Sequence, residues 1–280
     1  MVLTKKSKGH NKMEQNTITN TEFNLFRSFI YEHAGIRLSD EKKPLVISRL
    51  SKRLRHYSLI NFQEYFDLMI ASGRDQEQQV AIDLLTTNET YFFREPKHFE
   101  FLANEILANR DSNKMFRVWS AASSTGEEAY SIAMLLDDKL NNDLWEVFGS
   151  DINQTVIQQA RSGLYLQDRI DGIPKAYLQN YCFKGKDEYE GKLLINEKLR
   201  KKVSFDLVNL TMPLTKLGQF QLIFIRNVMI YFDQDTKNKI IKRIVQQLAH
   251  GGYLFVGHSE SLERTTESLI QVCPAVYQKI

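Results

Sequence analysis

From about residue 115 to the C-terminus, short β-like runs alternate with helical stretches, and this alternation constrains the fold more than any other feature. The runs 116–119, 145–149, 203–208, 222–225 and 253–257 are rich in β-branched and aromatic residues, and between them 127–140, 153–161 and 235–249 carry helical periodicity. A strand that reaches its neighbour through a crossover helix pairs with it in parallel. The pattern therefore predicts an α/β domain over 115–280, a parallel sheet with helices on both faces. Residues 21–85 differ. Phe23, Phe26, Phe29 and Ile30 recur at helical spacing, and Ser39-Asp40-Glu41 before Pro44 marks a helix start. Leu45, Val46, Leu50, Leu54 and Tyr57 form the apolar stripe behind it, and two more helices fit 62–70 and 76–85. This predicts a small all-α domain, with 86–114 as the connecting segment. Within an insertion at about 171–200, the runs 181–185 and 191–196 flank a polar turn. They predict an antiparallel β hairpin attached to the main sheet.

Charge and composition remove several classes of function. The net charge is +3, and Lys5, Lys6, Lys8 and Lys12 against Glu14 in residues 1–20 account for all of it. That stretch reads as a disordered basic leader. The remainder is neutral, which argues against a nucleic-acid-binding core. Cys182 and Cys273 show no paired spacing, and the six histidines form no HxH or HExxH pattern. A disulfide framework and metal catalysis are therefore not expected. The longest apolar run, 222–232, is broken by Arg226-Asn227 and is shorter than the roughly 20 residues a membrane helix needs. The polar N-terminus does not read as a secretory signal. A cytoplasmic protein is expected.

Four segments carry chemistry. The strand at 116–119 empties into Ser120-Ala121-Ala122-Ser123-Ser124-Thr125-Gly126-Glu127-Glu128, a loop of small residues that lets a ligand approach the backbone. A dinucleotide site would show G-x-G-x-x-G. Here Gly126 is the single glycine, and the two acids after it would repel a phosphate. Asp151 ends the next strand, 25 residues on, where an acid commonly accepts ribose hydroxyls; the competing reading is a helix N-cap. Loop and acid together point to a cationic nucleoside without phosphates, for which S-adenosylmethionine is the obvious candidate. The third segment, Thr86 to Glu95 (TTNETYFFRE), lies at the domain junction, where ligand clefts form. The fourth, Ile225 to Asp233 (IRNVMIYFD), places Arg226, Asn227 and Tyr231 beyond the carboxyl end of an apolar strand.

These strings, with WSAASSTGEEAYSIA (119–133), SDIN (150–153) and LFVGHSESL (254–262) in the same order, resemble the CheR-type chemotaxis receptor glutamate methyltransferases over nearly all of 21–280. The resemblance implies an α/β fold: a Rossmann-like S-adenosylmethionine methyltransferase sheet with an antiparallel β subdomain, preceded by a small all-α domain. It implies that Asn88, Thr90, Arg94 and Glu128 line the methionine side of the cofactor and the transfer centre, with Arg226 among the cofactor contacts. Asp151 would hold the ribose, and Asn209 and Leu210 would flank the adenine. Asn227 and Tyr231 would close the cleft, with Arg94 and Tyr231 as catalytic residues nearest the reacting carboxylate. The loop reads Ala121-Ala122 where many relatives carry a glycine; Ala129, Ile225 and Gln221 also depart from the usual pattern, none of them at a catalytic side chain.

The resemblance implies protein-glutamate O-methylation with no metal. A glutamate is already anionic at neutral pH, so placement of the nucleophile matters more than a general base. Partners would be methyl-accepting chemotaxis receptors, through their acidic methylation helices and possibly a C-terminal tether peptide added to the hairpin; the enzyme would act as a monomer. Arg49, Lys52, Arg53 and Arg55 follow Pro44 with no acid from Lys42 to Gln63, and they read as a docking face for an acidic helix, as the resemblance implies, as a solvated face, or as a nucleic-acid contact. Two other readings stay open: a nucleic-acid methyltransferase, and a non-catalytic S-adenosylmethionine-binding adaptor.

Overall fold

The computed structural model describes residues 17–214, 217–262 and 267–280. The leader expected over 1–20 falls, through residue 16, outside the described residues. The helical domain comprises α1 (Asn20–Ala34), α2 (Lys43–Tyr57), α3 (Phe62–Ile70) and α4 (Asp75–Leu85). Helix α1 opens with a capping box: the Glu22 amide donates to the Thr19 hydroxyl at 3.2 Å, and the Thr19 amide donates back to Glu22 at 2.8 Å. The other Glu22 oxygen accepts the Gln63 amide at the start of α3, so one carboxylate fixes two helix N-termini. Phe23, Phe26, Leu50, Phe62 and Tyr65 close the core with no exposed surface.

In the junction, α5 (Pro96–Phe101) runs on into a π-helical turn, Leu102–Leu107, helices that the sequence did not announce. The methyltransferase-type domain then unfolds in order: β1 (Phe116–Ala121), α6 (Glu127–Lys139), β2 (Trp145–Asp151), α7 (Gln154–Ser162), β3 (Leu164–Leu166), α8 (Lys175–Tyr181), β4 (Cys182–Lys184), β5 (Lys192–Ile195), α9 (Glu197–Lys202), β6 (Val203–Leu207), β7 (Phe220–Ile225), α10 (Gln234–Gln247), β8 (Leu248–Val256), β9 (Leu269–Cys273) and β10 (Val276–Lys279). The seven-stranded sheet has the order β6-β2-β1-β7-β8-β10-β9. Its first five strands are parallel, while β10 lies antiparallel to both β8 and β9. Strand β7 is central and packs on both faces. Leu222 and Phe224 join one core, Ile223 and Ile225 the other, which is why it reads as an unbroken apolar run. The chain steps outward from β1 to β2 and β6, then returns to β7 on the other side of β1. This reversal opens a crevice at the carboxyl ends of β1 and β7.

Two expectations need correction. The sheet is parallel only up to β8; the antiparallel β10 and β9 complete its edge, and β8 begins at Leu248 rather than near 253. The hairpin is a separate three-stranded sheet, order β3-β5-β4, not an attachment to the main one. Its third strand comes from before the expected insertion. β3 spans three residues, and its register is held by buried Tyr165, whose hydroxyl donates to the Thr125 carbonyl at 2.7 Å, a long-range contact that local alternation cannot display.

The two domains meet through a polar seam. The Asp83 carboxylate accepts the Gln154 and Thr155 amides, both at 2.9 Å, and the Thr155 hydroxyl at 2.7 Å. Asn153 caps the same helix, and its amide group donates to the Asp83 carbonyl and the Thr86 hydroxyl. The N-terminus of α7 is therefore satisfied jointly by its own cap and by α4.

Inside the helical domain, buried Glu77 accepts Arg53 through both oxygens (2.8 and 2.6 Å) and the Tyr57 and Tyr65 hydroxyls. Burial raises its pKa, but the bonds from Arg53, Tyr65 and Tyr57 overcome that and leave it below its ordinary 4.5. A carboxyl depressed in the folded state stabilises above its unfolded pKa, and that contribution disappears as pH falls through the folded one. Glu77→Gln is expected to cost about 2 kcal/mol at neutral pH, because charged hydrogen bonds are lost and Arg53 keeps no counter-charge. Urea unfolding as a function of pH checks this: the gap to wild type narrows as pH falls below the ordinary 4.5 and on through the lower folded-state value. A gap that stays constant into acid contradicts it.

Candidate active site

Ten of the residues singled out in the sequence come together on one cleft at the switch point: Asn88, Thr90, Arg94, Glu128, Asp151, Asn209, Leu210, Arg226, Asn227 and Tyr231. The helical domain supplies the opposite wall with Ala34, Ile36, Leu38 and Leu45, so the cleft belongs to both domains.

The loop after β1 is bent by three left-handed residues, Ala122 (φ +66°), Ser124 (φ +51°) and Gly126 (φ +94°). At Gly126 a Cβ would meet Ala160 Cβ at 2.9 Å and the Tyr165 hydroxyl at 3.0 Å, so the turn into α6 requires glycine. The loop is strapped to β2: the Ser123 amide donates to the Ser150 carbonyl at 2.7 Å, and the Ser124 amide to Asp151 Oδ2 at 2.9 Å. Asp151 Oδ1 accepts the Asn153 amide at 3.0 Å. Asp151 thus supports the loop as well as facing the cleft. It does not cap α7, a task that falls to Asn153. The Ser124 hydroxyl donates to the Asn88 carbonyl at 2.8 Å, which brings the junction segment to the loop.

The cleft floor is an ion cluster. Arg226 is buried and bonds Glu128 Oε2 at 2.9 Å through Nη1 and Glu95 Oε2 at 3.0 Å through Nη2. It also donates to the Arg94 carbonyl. Glu128 Oε1 accepts the Ser120 hydroxyl at 2.7 Å. Burial pushes the Glu128 carboxyl up in pKa, and Arg226 and Ser120 only partly offset it. Burial likewise raises Asp151 against the amides of Asn153 and Ser124. For Glu95, burial is outweighed by Arg226, the His258 amide and Asn227, which hold it below the ordinary range. One guanidinium between two carboxylates leaves an excess negative charge, and Asp151 adds another. This donor set fits a cationic nucleoside: an ammonium and a sulfonium would relieve the buried acids, and the floor has no cradle for phosphate.

A second constellation sits at the mouth. Arg94 donates to the Glu89 carbonyl at 3.2 Å and lies 5.5 Å from the Tyr91 ring centroid; among the described residues it has no carboxylate partner. Tyr231 is pushed up in pKa by burial and by Glu89, against Arg94 and Arg49, so its hydroxyl stays protonated at neutral pH. The Asn209 side chain is engaged locally, donating to the His33 carbonyl and accepting the Thr211 amide and hydroxyl.

The sequence did not single out Glu95 or Glu260, although both lie in the quoted strings. Glu260 accepts three backbone amides, from Asn227, Met229 and Gly257, at 2.7–2.8 Å. It clips the strand-end loop of β7, where Asn227 is left-handed (φ +57°), to the end of β8. A Cβ at Gly257 would meet Glu260 Oε2 at 2.7 Å.

The cationic face expected on α2 is narrower than its sequence suggests. Arg49 turns inward and donates to the Leu84 and Thr86 carbonyls at 3.1 and 2.6 Å, satisfying the C-terminus of α4. Arg53 is held by Glu77. Lys52 and Arg55 are exposed. None of the four reaches the cleft.

Comparison with known proteins agrees with this architecture. Residues 88–277 match the family model described as CheR methyltransferase, SAM binding domain, and residues 21–86 match CheR methyltransferase, all-alpha domain. The chemotaxis protein methyltransferase of Escherichia coli (strain K12) is 43% identical over 251 residues, covering 89% of this chain and 87% of that protein. That of Borreliella burgdorferi is 38% identical over 283 residues, covering 96% and 98%. Chemotaxis protein methyltransferase 2 of Pseudomonas aeruginosa is 37% identical, covering 92% and 93%. With the sheet order, the cleft at its switch point and both family models in agreement, the chain belongs to the CheR family of S-adenosylmethionine-dependent methyltransferases.

Proposed function

We propose that this enzyme esterifies glutamate side chains on the cytoplasmic methylation helices of chemotaxis receptors. The observation that carries this reading is Arg94, a cation without a carboxylate partner among the described residues, at the mouth of a cleft whose inner end holds Glu128 and Asp151. Asp151, Glu128 and the excess negative charge around Arg226 suit the cationic methyl donor, whereas Arg94 suits an incoming carboxylate. Bound in the cleft, S-adenosylmethionine supplies a methyl group made electrophilic by its sulfonium. Every other requirement falls to the chain. Asp151 accepts from the ribose hydroxyls, Asn209 and Leu210 border the adenine, and Asn88, Thr90 and Glu128 border the methionine end. Arg94 orients the acceptor carboxylate by charge-assisted hydrogen bonds, and the protonated Tyr231 hydroxyl fixes its second oxygen. Asn227, Arg226 and the Glu260 clip hold the floor on which this geometry rests. No general base is needed, since the acceptor is ionised at neutral pH.

The docking cations are Lys52 and Arg55 on α2, with Arg49 and Arg53 shaping the helix from beneath. The outer strand β4, with Phe183 exposed, is where an extended receptor tether would add as a further strand. The enzyme works in the cytoplasm as a monomer; no helix among the described residues is long and apolar enough to cross a membrane. A nucleic-acid substrate is disfavoured by the neutral core and by Arg226-Asn227-Val228, which stands where amino-group methyltransferases carry N/D-P-P-Y.

Incubation with methyl-labelled cofactor and receptor, followed by mild base, is expected to release labelled methanol; base-stable label, or transfer to nucleic acid, overturns the reading. Arg94→Ala is expected to lower kcat about 10²-fold through misplacement of the carboxylate, and Tyr231→Phe about tenfold through one lost hydrogen bond. Cofactor affinity by calorimetry falls less than turnover in both. Near-normal turnover of the Arg94 variant removes it from the reaction. Charge reversal of Lys52 and Arg55 to Glu is expected to raise KM for receptor several-fold while thermal unfolding stays unchanged; an unaltered KM removes α2 as the docking face.

A further inference from the structure

Behind the cleft floor, Glu95 faces a pair of histidines. Its Oε2 lies 3.4 Å from His98 Nδ1 and 3.8 Å from His258 Nε2. One donor atom from each of the three side chains lies within 4.8 Å of the other two. His98 is 2% exposed, and among the described residues neither ring nitrogen has a hydrogen-bond partner. An imidazole buried this deeply normally bonds through at least one nitrogen. Its ring is packed 5.1 Å from the Phe255 centroid and 4.8 Å from that of His258. A surface groove lined by Lys97, Asn104 and Cys273 reaches both His98 and His258, so a small ion has a path from solvent.

We propose that Glu95, His98 and His258 form a binding site for a divalent transition metal of the zinc class, and that its occupation withdraws Glu95 from Arg226. Two imidazoles and one carboxylate are a donor set that such ions favour. Tetrahedral coordination with bonds near 2.1 Å separates donors by roughly 3.4 Å. Both Glu95 contacts stand close to that spacing, and His258, on an exposed turn, closes the third by a small rotation. The carboxylate oxygen nearest both histidines is the one Arg226 holds through Nη2 at 3.0 Å and Nε at 3.3 Å. Metal and guanidinium therefore compete for it. With the ion bound, Arg226 keeps Glu128 and the Arg94 carbonyl but loses its second carboxylate, and the floor beneath Asn227 loosens. The metal is an antagonist of the reaction and takes no part in it. By linkage, cofactor and metal weaken each other's binding by the same factor.

The test titrates the metal-free full-length protein with Co²⁺, whose visible absorption reports coordination, and with Zn²⁺ by calorimetry, each with and without S-adenosylhomocysteine. The expected result is one ion per chain, a four- or five-coordinate cobalt spectrum, and weaker metal binding when the nucleoside is present. His258→Ala and His98→Asn are each expected to weaken metal binding by roughly tenfold or more, while Cys273→Ser leaves it unchanged. Zinc inhibits methyl transfer by the wild type, and His258→Ala retains transfer but loses that inhibition. Because His98 is buried and its variant could fail to fold, the exposed His258 variant decides. Equal metal affinity in wild type and His258→Ala, or a cobalt spectrum that remains six-coordinate, overturns the proposal.

Discussion

The structure depends on a buried guanidinium. Arg226 ends the central strand and cannot remain desolvated without counter-charges. Those charges come from two separate parts of the chain: Glu128 from the first turn of α6, and Glu95 from the segment that leaves the helical domain. A third bond goes to the Arg94 carbonyl. One side chain thereby fixes the distance between the cofactor loop, the junction segment and the tip of β7. The same bond that satisfies Arg226 places the Arg94 backbone, and hence a guanidinium with no carboxylate partner among the described residues, at the mouth of the cleft. Stability of the floor and position of the transfer centre are one property here.

The acids around the cleft divide into two kinds. Glu260 and Asp83 are spent on backbone amides and hold loops in shape. Asp151 is buried and Glu128 is 13% exposed at its side chain, both with raised pKa values that the protein only partly compensates. Groups left with an unrelieved desolvation cost are poised for a ligand of opposite charge. The distinction separates structural carboxylates from binding ones without reference to relatives.

Much of this was legible in the sequence, for identifiable reasons. Strand–helix alternation and the continuous apolar run of β7 follow directly from burial on both faces, and the motif strings located most polar residues of the cleft, though not the wall of Ala34, Ile36, Leu38 and Leu45 that the helical domain supplies. What stayed hidden depended on distant partners. Helical spacing put Arg49, Arg53 and Lys52 on adjoining positions, but only the packing of α4 decides that Arg53 turns toward Glu77 and Arg49 toward the Leu84 and Thr86 carbonyls. Strand β9 exposes Ile270 and Val272 at the sheet edge, so it lacks the buried alternation that marks a strand. Strand β3 is three residues long and is held by one tyrosine reaching the Thr125 carbonyl. His98 and Glu95 are one helical turn apart, yet His258 joins them only because β8 ends beside α5.

The seam between the domains has a consequence for how such proteins can be recombined. The first turn of α7 has no complete set of acceptors within its own domain; Asp83, from the last turn of α4, supplies the remainder. A chimera that joins the helical module of one homologue to the catalytic module of another at the junction would cut between two halves of a single helix cap. Exchange succeeds only when the α4 carboxylate and the Asn153–Thr155 turn travel together, so the heritable unit of this architecture is the interface rather than either module.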